Sequence, residues 1–139
     1  MRKLISARLS AQLLIIANVL LLLLHILILL RIVPYEFIWG GQIKDSSSLI
    51  IFEITAICLT MAFIFIVSLK IGYLFAGKFK RTAAIGIWIM FGYLVLNTIG
   101  NLASTVTAET FIFTPITVGM ALLAFRLATE KPIGLNPYI

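Results

Sequence analysis

The sequence predicts an all-α membrane protein, an antiparallel four-helix transmembrane bundle that forms one domain over residues 1–139. Of its residues, 62% are hydrophobic and only 12% are charged, whereas soluble domains carry about 25% charged residues. The apolar residues also fall into four runs, each close to the ~20 residues that a helix needs to cross a bilayer. The mean hydropathy of +1.15 agrees with lipid as the solvent.

Short polar connections separate the four predicted spans, which cover residues 9–30, 49–69, 83–102 and 114–129. The first span follows a basic N-terminus, as in a signal peptide. Its apolar run is longer than that of a signal peptide and no small-residue cleavage site follows, so we expect a retained helix. In the fourth span, Thr114 is a suitable N-cap and Pro115 suits the first helical position. Residues 111–113 extend this short span toward the interface.

The charges predict the orientation of the bundle. Four spans place the N-terminus, the 70–82 connection and the C-terminus on one side. That side carries nine of the eleven Lys and Arg residues: Arg2, Lys3, Arg8, Lys70, Lys78, Lys80, Arg81, Arg126 and Lys131. Its one acid is Glu130, whereas the other side holds four of the five acids. The positive-inside rule therefore predicts cytoplasmic termini and a multi-pass protein of the inner (cytoplasmic) membrane.

The net charge of +6 is explained by contacts of helix-end basic residues with lipid headgroups, so no nucleic acid partner is expected. A single cysteine, Cys58, and a single histidine, His25, exclude an internal disulfide, a cysteine cluster and a multi-histidine metal site. We expect no cofactor and no metal. The expected partners are membrane lipids and a homo-oligomer or larger membrane complex, because Gly86, Gly92 and Gly100 permit close helix contact.

Three polar residues on different spans lie at one depth. Glu53 is about 6 Å inside the start of the second span, and His25 and Asn97 are about 7–8 Å from the ends of the first and third. A buried charge is costly unless it is paired. We therefore predict that the His25 ring or the Asn97 amide lies within about 4 Å of a Glu53 oxygen.

Helical spacing divides the third span into two faces. The face predicted to be inside carries small and polar residues: Gly86, Met90, Tyr93, Asn97, Asn101 and Ser104. The face predicted to contact lipid carries large apolar residues: Ile87, Trp88, Phe91, Val95, Ile99 and Leu102. Small and polar residues pack against neighbouring helices in membranes, which is the basis of this assignment.

These positions predict a ligand cavity in the outer half of the bundle, under a lid from the outer loops. Its proposed residues are His25, Glu36, Trp39, Glu53, Tyr93, Asn97, Asn101 and Glu109. The plainer alternatives remain open: the asparagines can join helices by hydrogen bonds, and a helix N-terminus can stabilise Glu53. The loop acids can equally be solvated residues.

Three classes of function are compatible with this arrangement. The favoured one is a non-enzymatic module that binds a lipid or small ligand, or an accessory subunit of a membrane complex. The second is a membrane enzyme that uses Glu53 and His25 as an acid–base pair. The third is a small proton- or cation-coupled transporter, although Glu53 lies shallow for such a site and no span is broken at mid-depth.

The order of the segments "PYEFIWGG", "FEITA", "LNTIGNLAST" and "FTPITVGMAL" resembles that of small uncharacterised four-helix membrane proteins of bacteria. This resemblance covers nearly the whole chain and implies no activity. The segments "IIFEITAICL" and "KFKRTAAI" are similar to those of EXPERA-domain proteins, which include sterol isomerases and the sigma-2 receptor. That similarity implies an isomerase that shuttles a proton on an apolar substrate through Glu53 and His25.

Overall fold

A computed structural model describes residues 5–131 and contains four long helices, which confirms the predicted all-α fold. Helix α1 runs over Ala7–Leu29, α2 over Ser46–Lys70, α3 over Lys80–Ala103 and α4 over Thr114–Ala128. The first three are long and apolar enough to cross a membrane, and so is α4 together with the segment that precedes it, Glu109–Ala128.

The helices form an antiparallel bundle in which α1 packs mainly on α2, and α3 mainly on α4. Weaker contacts, α1 on α4 and α2 on α3, close the bundle. The upper end is the end at which residues 30–45 join α1 to α2 and residues 104–108 lead into the fourth span. The opposite end is the lower end. There Lys70 Nζ, at the end of α2, donates to the carbonyl oxygen of Glu130, which follows α4, at 3.0 Å.

Side-chain caps fix the starts of the first two helices. Ser6 accepts a hydrogen bond from the Leu9 N–H at 3.1 Å, and Asp45 accepts one from the Ser48 N–H at 2.6 Å. Such caps satisfy backbone donors that have no partner within the helix. Asp45 therefore defines the start of α2, seven residues before Glu53.

The start of the fourth span differs from the prediction. Thr114 is not an N-cap, because a π-helical segment, Glu109–Phe113, leads into α4 without a break. The Thr114 hydroxyl instead donates to the Glu109 carbonyl oxygen at 3.1 Å. Pro115, near the N-terminus of α4, has no N–H to donate to the preceding turn. The π-helical turn before the proline is wider than an α-helical turn, so the chain stays helical although this N–H is absent.

The two predicted faces of α3 are only partly correct. Gly86, Met90 and Asn101 are buried, and Trp88 and Val95 are exposed, as predicted. However, Ile87 belongs to the core and is 0% exposed, Phe91 packs against that core, and Tyr93 is 38% exposed. The physical reason is that α3 packs against α2 on one side and α4 on the other. Its buried arc is therefore wider than the polar stripe and is rotated toward Ile87.

Candidate functional site

A fully buried carboxylate lies near the upper end of the bundle. Glu53, on the second turn of α2, is 0% exposed. Its Oε2 is 2.8 Å from Nδ1 of His25 on α1, and its Oε1 accepts a hydrogen bond of 2.7 Å from Nε1 of Trp39. The prediction that His25 or Asn97 contacts a Glu53 oxygen is thereby confirmed, with His25 as the partner. Both carboxylate oxygens have partners, which offsets the cost of burial.

Trp39 reaches this carboxylate because the α1–α2 connection turns inward. Trp39, Gly40 and Gly41 have φ values of 63°, 57° and 70°. This left-handed conformation costs a residue with a Cβ about 1–2 kcal/mol. The Trp39 ring packs on Phe52 at a centroid distance of 4.9 Å and lies 6.2 Å from the His25 ring. These contacts and the bond to Glu53 hold the tryptophan in an unfavourable backbone conformation.

A second buried carboxylate lies across the bundle. Glu109, in the π-helical segment, is 7% exposed. The backbone N–H of Gly40 is 3.0 Å from both of its side-chain oxygens, and the Ser104 hydroxyl donates to Oε2. Adjacent residues of one loop, Trp39 and Gly40, thus bind two carboxylates on different helices.

A cavity of about 120 Å³ lies below this loop, between the four helices. Aromatic and polar side chains lie in its upper part, including Trp39, His25, Asn101 and Glu109. Polar and apolar side chains are mixed in its deeper part. Its polar lining is completed by Asn18, Thr60, Tyr93, Asn97 and Thr117, and its apolar lining consists of Leu21, Leu24, Ile38, Ala56, Leu59, Phe63, Leu94, Phe113, Ile116 and Met120.

The structure brings most of the predicted site residues together. Six of them line the cavity: His25, Trp39, Tyr93, Asn97, Asn101 and Glu109. Glu53 lies behind this wall, in contact with His25 and Trp39. Glu36 is exposed in the turn Tyr35–Phe37 and is not part of the cavity wall.

The proposed site left out several polar residues of the cavity wall. Asn18 lies seven residues from His25 and Thr60 seven residues from Glu53, so helical spacing places each pair on one face, although neither Asn18 nor Thr60 was included in the proposed site. Thr117 accepts hydrogen bonds from Thr98 at 2.9 Å and from Asn101 at 3.5 Å. No pattern in the sequence predicted that Thr117 would join α3 to α4 through these hydrogen bonds.

The His25–Glu53 pair gives the cavity an oriented imidazole. Nδ1 faces Glu53, so Nε2 is the ring nitrogen left for a molecule in the cavity. Among residues 5–131, no group of three or more His, Cys, Asp or Glu side chains is arranged to hold a metal ion.

The fold and this polar interior define the class: a multi-pass α-helical membrane protein with four candidate spans. No protein-family model matches the chain, and no curated protein or solved structure matches it either. The resemblance to EXPERA-domain proteins therefore stays a prediction.

Proposed function

We propose that the protein is a non-enzymatic membrane module that binds a small amphipathic molecule in its upper cavity. The observation that carries this proposal is the cavity of about 120 Å³ itself, whose lining combines apolar side chains with polar groups such as His25, Asn101 and Glu109. Small-molecule sites generally combine an apolar lining with a few polar groups that orient the ligand.

The lining extends well below the loop. Phe63 lies ten residues after Glu53 on α2, and Leu94 lies seven residues before Asn101 on the antiparallel α3. At 1.5 Å per residue these positions are about 10–15 Å deeper. Polar and apolar side chains are mixed over this depth, so a ligand that carries both a polar group and an apolar chain matches the lining.

The volume limits the part of the ligand that lies inside the cavity. An apolar cavity of about 150 Å³ is large enough for benzene. A cavity of about 120 Å³ therefore suits a group of roughly five or six non-hydrogen atoms. Such a group is either a whole small metabolite or one part of a larger amphipathic molecule.

We further propose that the protein lies in the inner (cytoplasmic) membrane with both termini in the cytoplasm. The support is the concentration of basic residues at the lower end, where Lys70, Lys78 and Arg126 lie. In this orientation the cavity and the Trp39 loop lie in the outer half of the bilayer. The ligand would then arrive from the outer side or the outer leaflet.

Tryptophan fluorescence tests the proposed binding. The chain has two tryptophans, so Trp88→Phe leaves Trp39, in the cavity wall, as the reporter. The purified protein in detergent is titrated with butan-1-ol, n-butylamine and sodium butyrate. We expect a saturable change of Trp39 emission with at least one of the three.

A matched pair of variants identifies the site of binding. Ala56 lines the cavity, so Ala56→Leu should fill it and abolish the saturable change. Ala62 lies on the exposed face of α2, so Ala62→Leu should leave the change intact. Thermal unfolding establishes that both variants fold. The proposal fails if no probe gives a saturable signal, or if Ala56→Leu binds as the wild type does.

The His25–Glu53 contact of 2.8 Å favours a second candidate, an isomerase-type enzyme that moves a proton on its substrate. The two functions can be distinguished by incubating the protein with its ligand in D₂O and measuring the deuterium content of the recovered ligand. A binding module releases the ligand unchanged, whereas the enzyme introduces deuterium at a carbon atom. His25→Gln should abolish that incorporation. Absence of deuterium in the recovered ligand rules out this candidate.

A further inference from the structure

We infer that the ligand of the upper cavity carries a primary ammonium group and that Glu109 is its counter-ion. This inference rests on the proposed function, because it assigns a chemical class to the molecule that the cavity binds. It follows from the charge of the wall, the hydrogen-bonding capacity of Glu109 and the placement of neighbouring acceptors.

Acidic groups outnumber basic groups around the cavity. Its ionisable residues are His25, Tyr93 and Glu109, and Glu53 lies directly behind them. Among residues 5–131 the ion pairs are His25–Glu53 and Arg126–Glu130, and neither includes Glu109. Formal charges of −1 on each carboxylate and at most +1 on the imidazole sum to about −1. A cationic ligand would balance this formal charge.

Glu109 has capacity for another donor. A carboxylate offers about four lone-pair positions. The bonds found here use one N–H, from Gly40, which is shared between both oxygens at 3.0 Å, and one O–H, from Ser104. Since Glu109 also lines the cavity, an N–H donor in the cavity can bind the same carboxylate.

The surrounding groups favour a primary ammonium over a quaternary one. Asn97 and Asn101 lie one turn apart on α3 and both line the cavity. The Asn101 amide N–H₂ points to Thr117 at 3.5 Å, which leaves its carbonyl oxygen as an acceptor. A primary ammonium has three N–H donors for Glu109 and these amide oxygens. A quaternary ammonium has none, and its methyl groups add volume.

Aromatic side chains complete a site of this kind. Trp39 lies in the wall beside the polar groups, and the Tyr93 and Phe63 rings meet at a centroid distance of 5.4 Å deeper in it. The face of an aromatic ring attracts a cation, most strongly in tryptophan. The deeper rings provide an apolar environment for the carbon chain of the ligand.

Four probes with the same carbon chain separate charge from shape. The Trp39 reporter is titrated at pH 7.5 with n-butylamine, butan-1-ol, sodium butyrate and n-butyltrimethylammonium. We expect n-butylamine to bind at least tenfold more tightly than butan-1-ol and than the quaternary compound, and butyrate to give no saturable signal. Equal affinities for the amine and the alcohol would overturn the inference.

A charge-removing variant identifies the counter-ion. Glu109→Gln keeps the shape of the side chain. It should lower the affinity for n-butylamine at least tenfold, whereas the affinity for butan-1-ol should change less than twofold. Glu36→Gln removes an exposed acid outside the cavity and should change neither affinity. Unaltered amine binding in a folded Glu109→Gln protein would overturn the role of Glu109. The wild-type comparison of amine with alcohol decides the ligand class even if that variant does not fold.

The outcomes distinguish this inference from the proposed function. Saturable binding of butan-1-ol without preference for the amine, abolished by Ala56→Leu, would keep the binding function and reject the ammonium class. A cavity that holds only water would give no saturable signal with any probe. Both proposals would then fail together.

Discussion

The side chains of His25 and Glu53, on adjacent antiparallel helices, meet at 2.8 Å in the upper part of the bundle. The same carboxylate binds Trp39 from the connection that joins those two helices. One acid thus ties α1, α2 and their loop together. Its full burial makes it an integral part of the fold, because an acid inside a membrane span is costly without partners.

Replacement of Glu53 should destabilise the upper end of the bundle. Glu53→Ala removes the hydrogen-bond partner of both Trp39 Nε1 and His25 Nδ1, and each buried polar group left without a partner costs about 1–3 kcal/mol. Chemical unfolding in detergent measures the loss, and hydrogen exchange should show faster exchange at Gly40 and Gly41. Glu36→Gln, at an exposed position, is the control. A loss below about 1 kcal/mol would show that Glu53 is a helix-start anchor with little effect on the loop.

The depth of this pair could be predicted from the sequence for a simple physical reason. Hydropathy fixes where each span begins and ends, and the rise of 1.5 Å per residue then fixes the relative depth of His25 and Glu53. Asn97, at the same predicted depth, lines the cavity. The hydrogen-bonding partners of Glu53 are His25 and Trp39 instead, since α2 packs more closely on α1 than on α3.

The loop contacts could not be predicted in the same way. Nothing local to "FIWGGQ" indicates that Trp39 reaches Glu53 and that Gly40 reaches Glu109, because those partners lie 14 and 69 residues away. The π-helical segment Glu109–Phe113 was missed for a similar reason. A threonine–proline pair indicates a helix start in isolation, but here it lies within a continuous helical span.

The conformation of Gly40 should make it intolerant of a side chain. Its φ is 57°, and a Cβ added there would lie 3.8 Å from Glu109 Oε2, an ordinary contact. The cost of Gly40→Ala is therefore conformational, about 1–2 kcal/mol. Gly92→Ala is the matched control, because its Cβ would meet nothing within 4 Å on α3. That variant should be neutral or more stable by up to about 1 kcal/mol. If Gly92→Ala lowered the free energy of unfolding as much as Gly40→Ala does, the cost at Gly40 could not be assigned to its backbone conformation.

Close packing of α3 on α2 depends on Gly86. A Cβ at this position would lie 2.9 Å from Ile66 Cγ2 and 3.0 Å from Ile66 Cδ1, which is too close without movement. Gly86→Ala should therefore cost about 1–3 kcal/mol from overpacking. Ile66→Ala removes the opposing atoms, so the double variant should lose less stability than the sum of the two single variants. Strict additivity in thermal unfolding would show that the two residues are not coupled.

The cap of α2 should contribute a pH-dependent part of the stability. The backbone N–H of Ser48 holds the pKa of Asp45 below its usual value, with a further contribution from the Ser48 side chain. A lowered pKa in the folded state means stabilisation that is present above the unfolded-state pKa and lost as the pH falls through the folded-state pKa. Asn also caps helices but has no charge.

Comparison of the wild type with Asp45→Asn isolates this effect, because the other carboxylates titrate in both proteins. We expect the wild type to have the higher melting temperature at pH 7, since a negative charge is favourable at a helix N-terminus. The difference should shrink below about pH 4. A difference that stays constant from pH 7 to pH 3 would show that the Asp45 charge does not act on the helix.

The proposed orientation predicts opposite accessibility for two exposed lysines. Lys44 precedes α2 at the upper end, and Lys78 lies between α2 and α3 at the lower end. In a Cys58→Ser background, Lys44→Cys should react with a membrane-impermeant maleimide in intact cells. Lys78→Cys should react only after the cells are opened, because the basic lower end is expected in the cytoplasm. Labelling of Lys78→Cys in intact cells would reverse the orientation and place the cavity in the inner half of the bilayer.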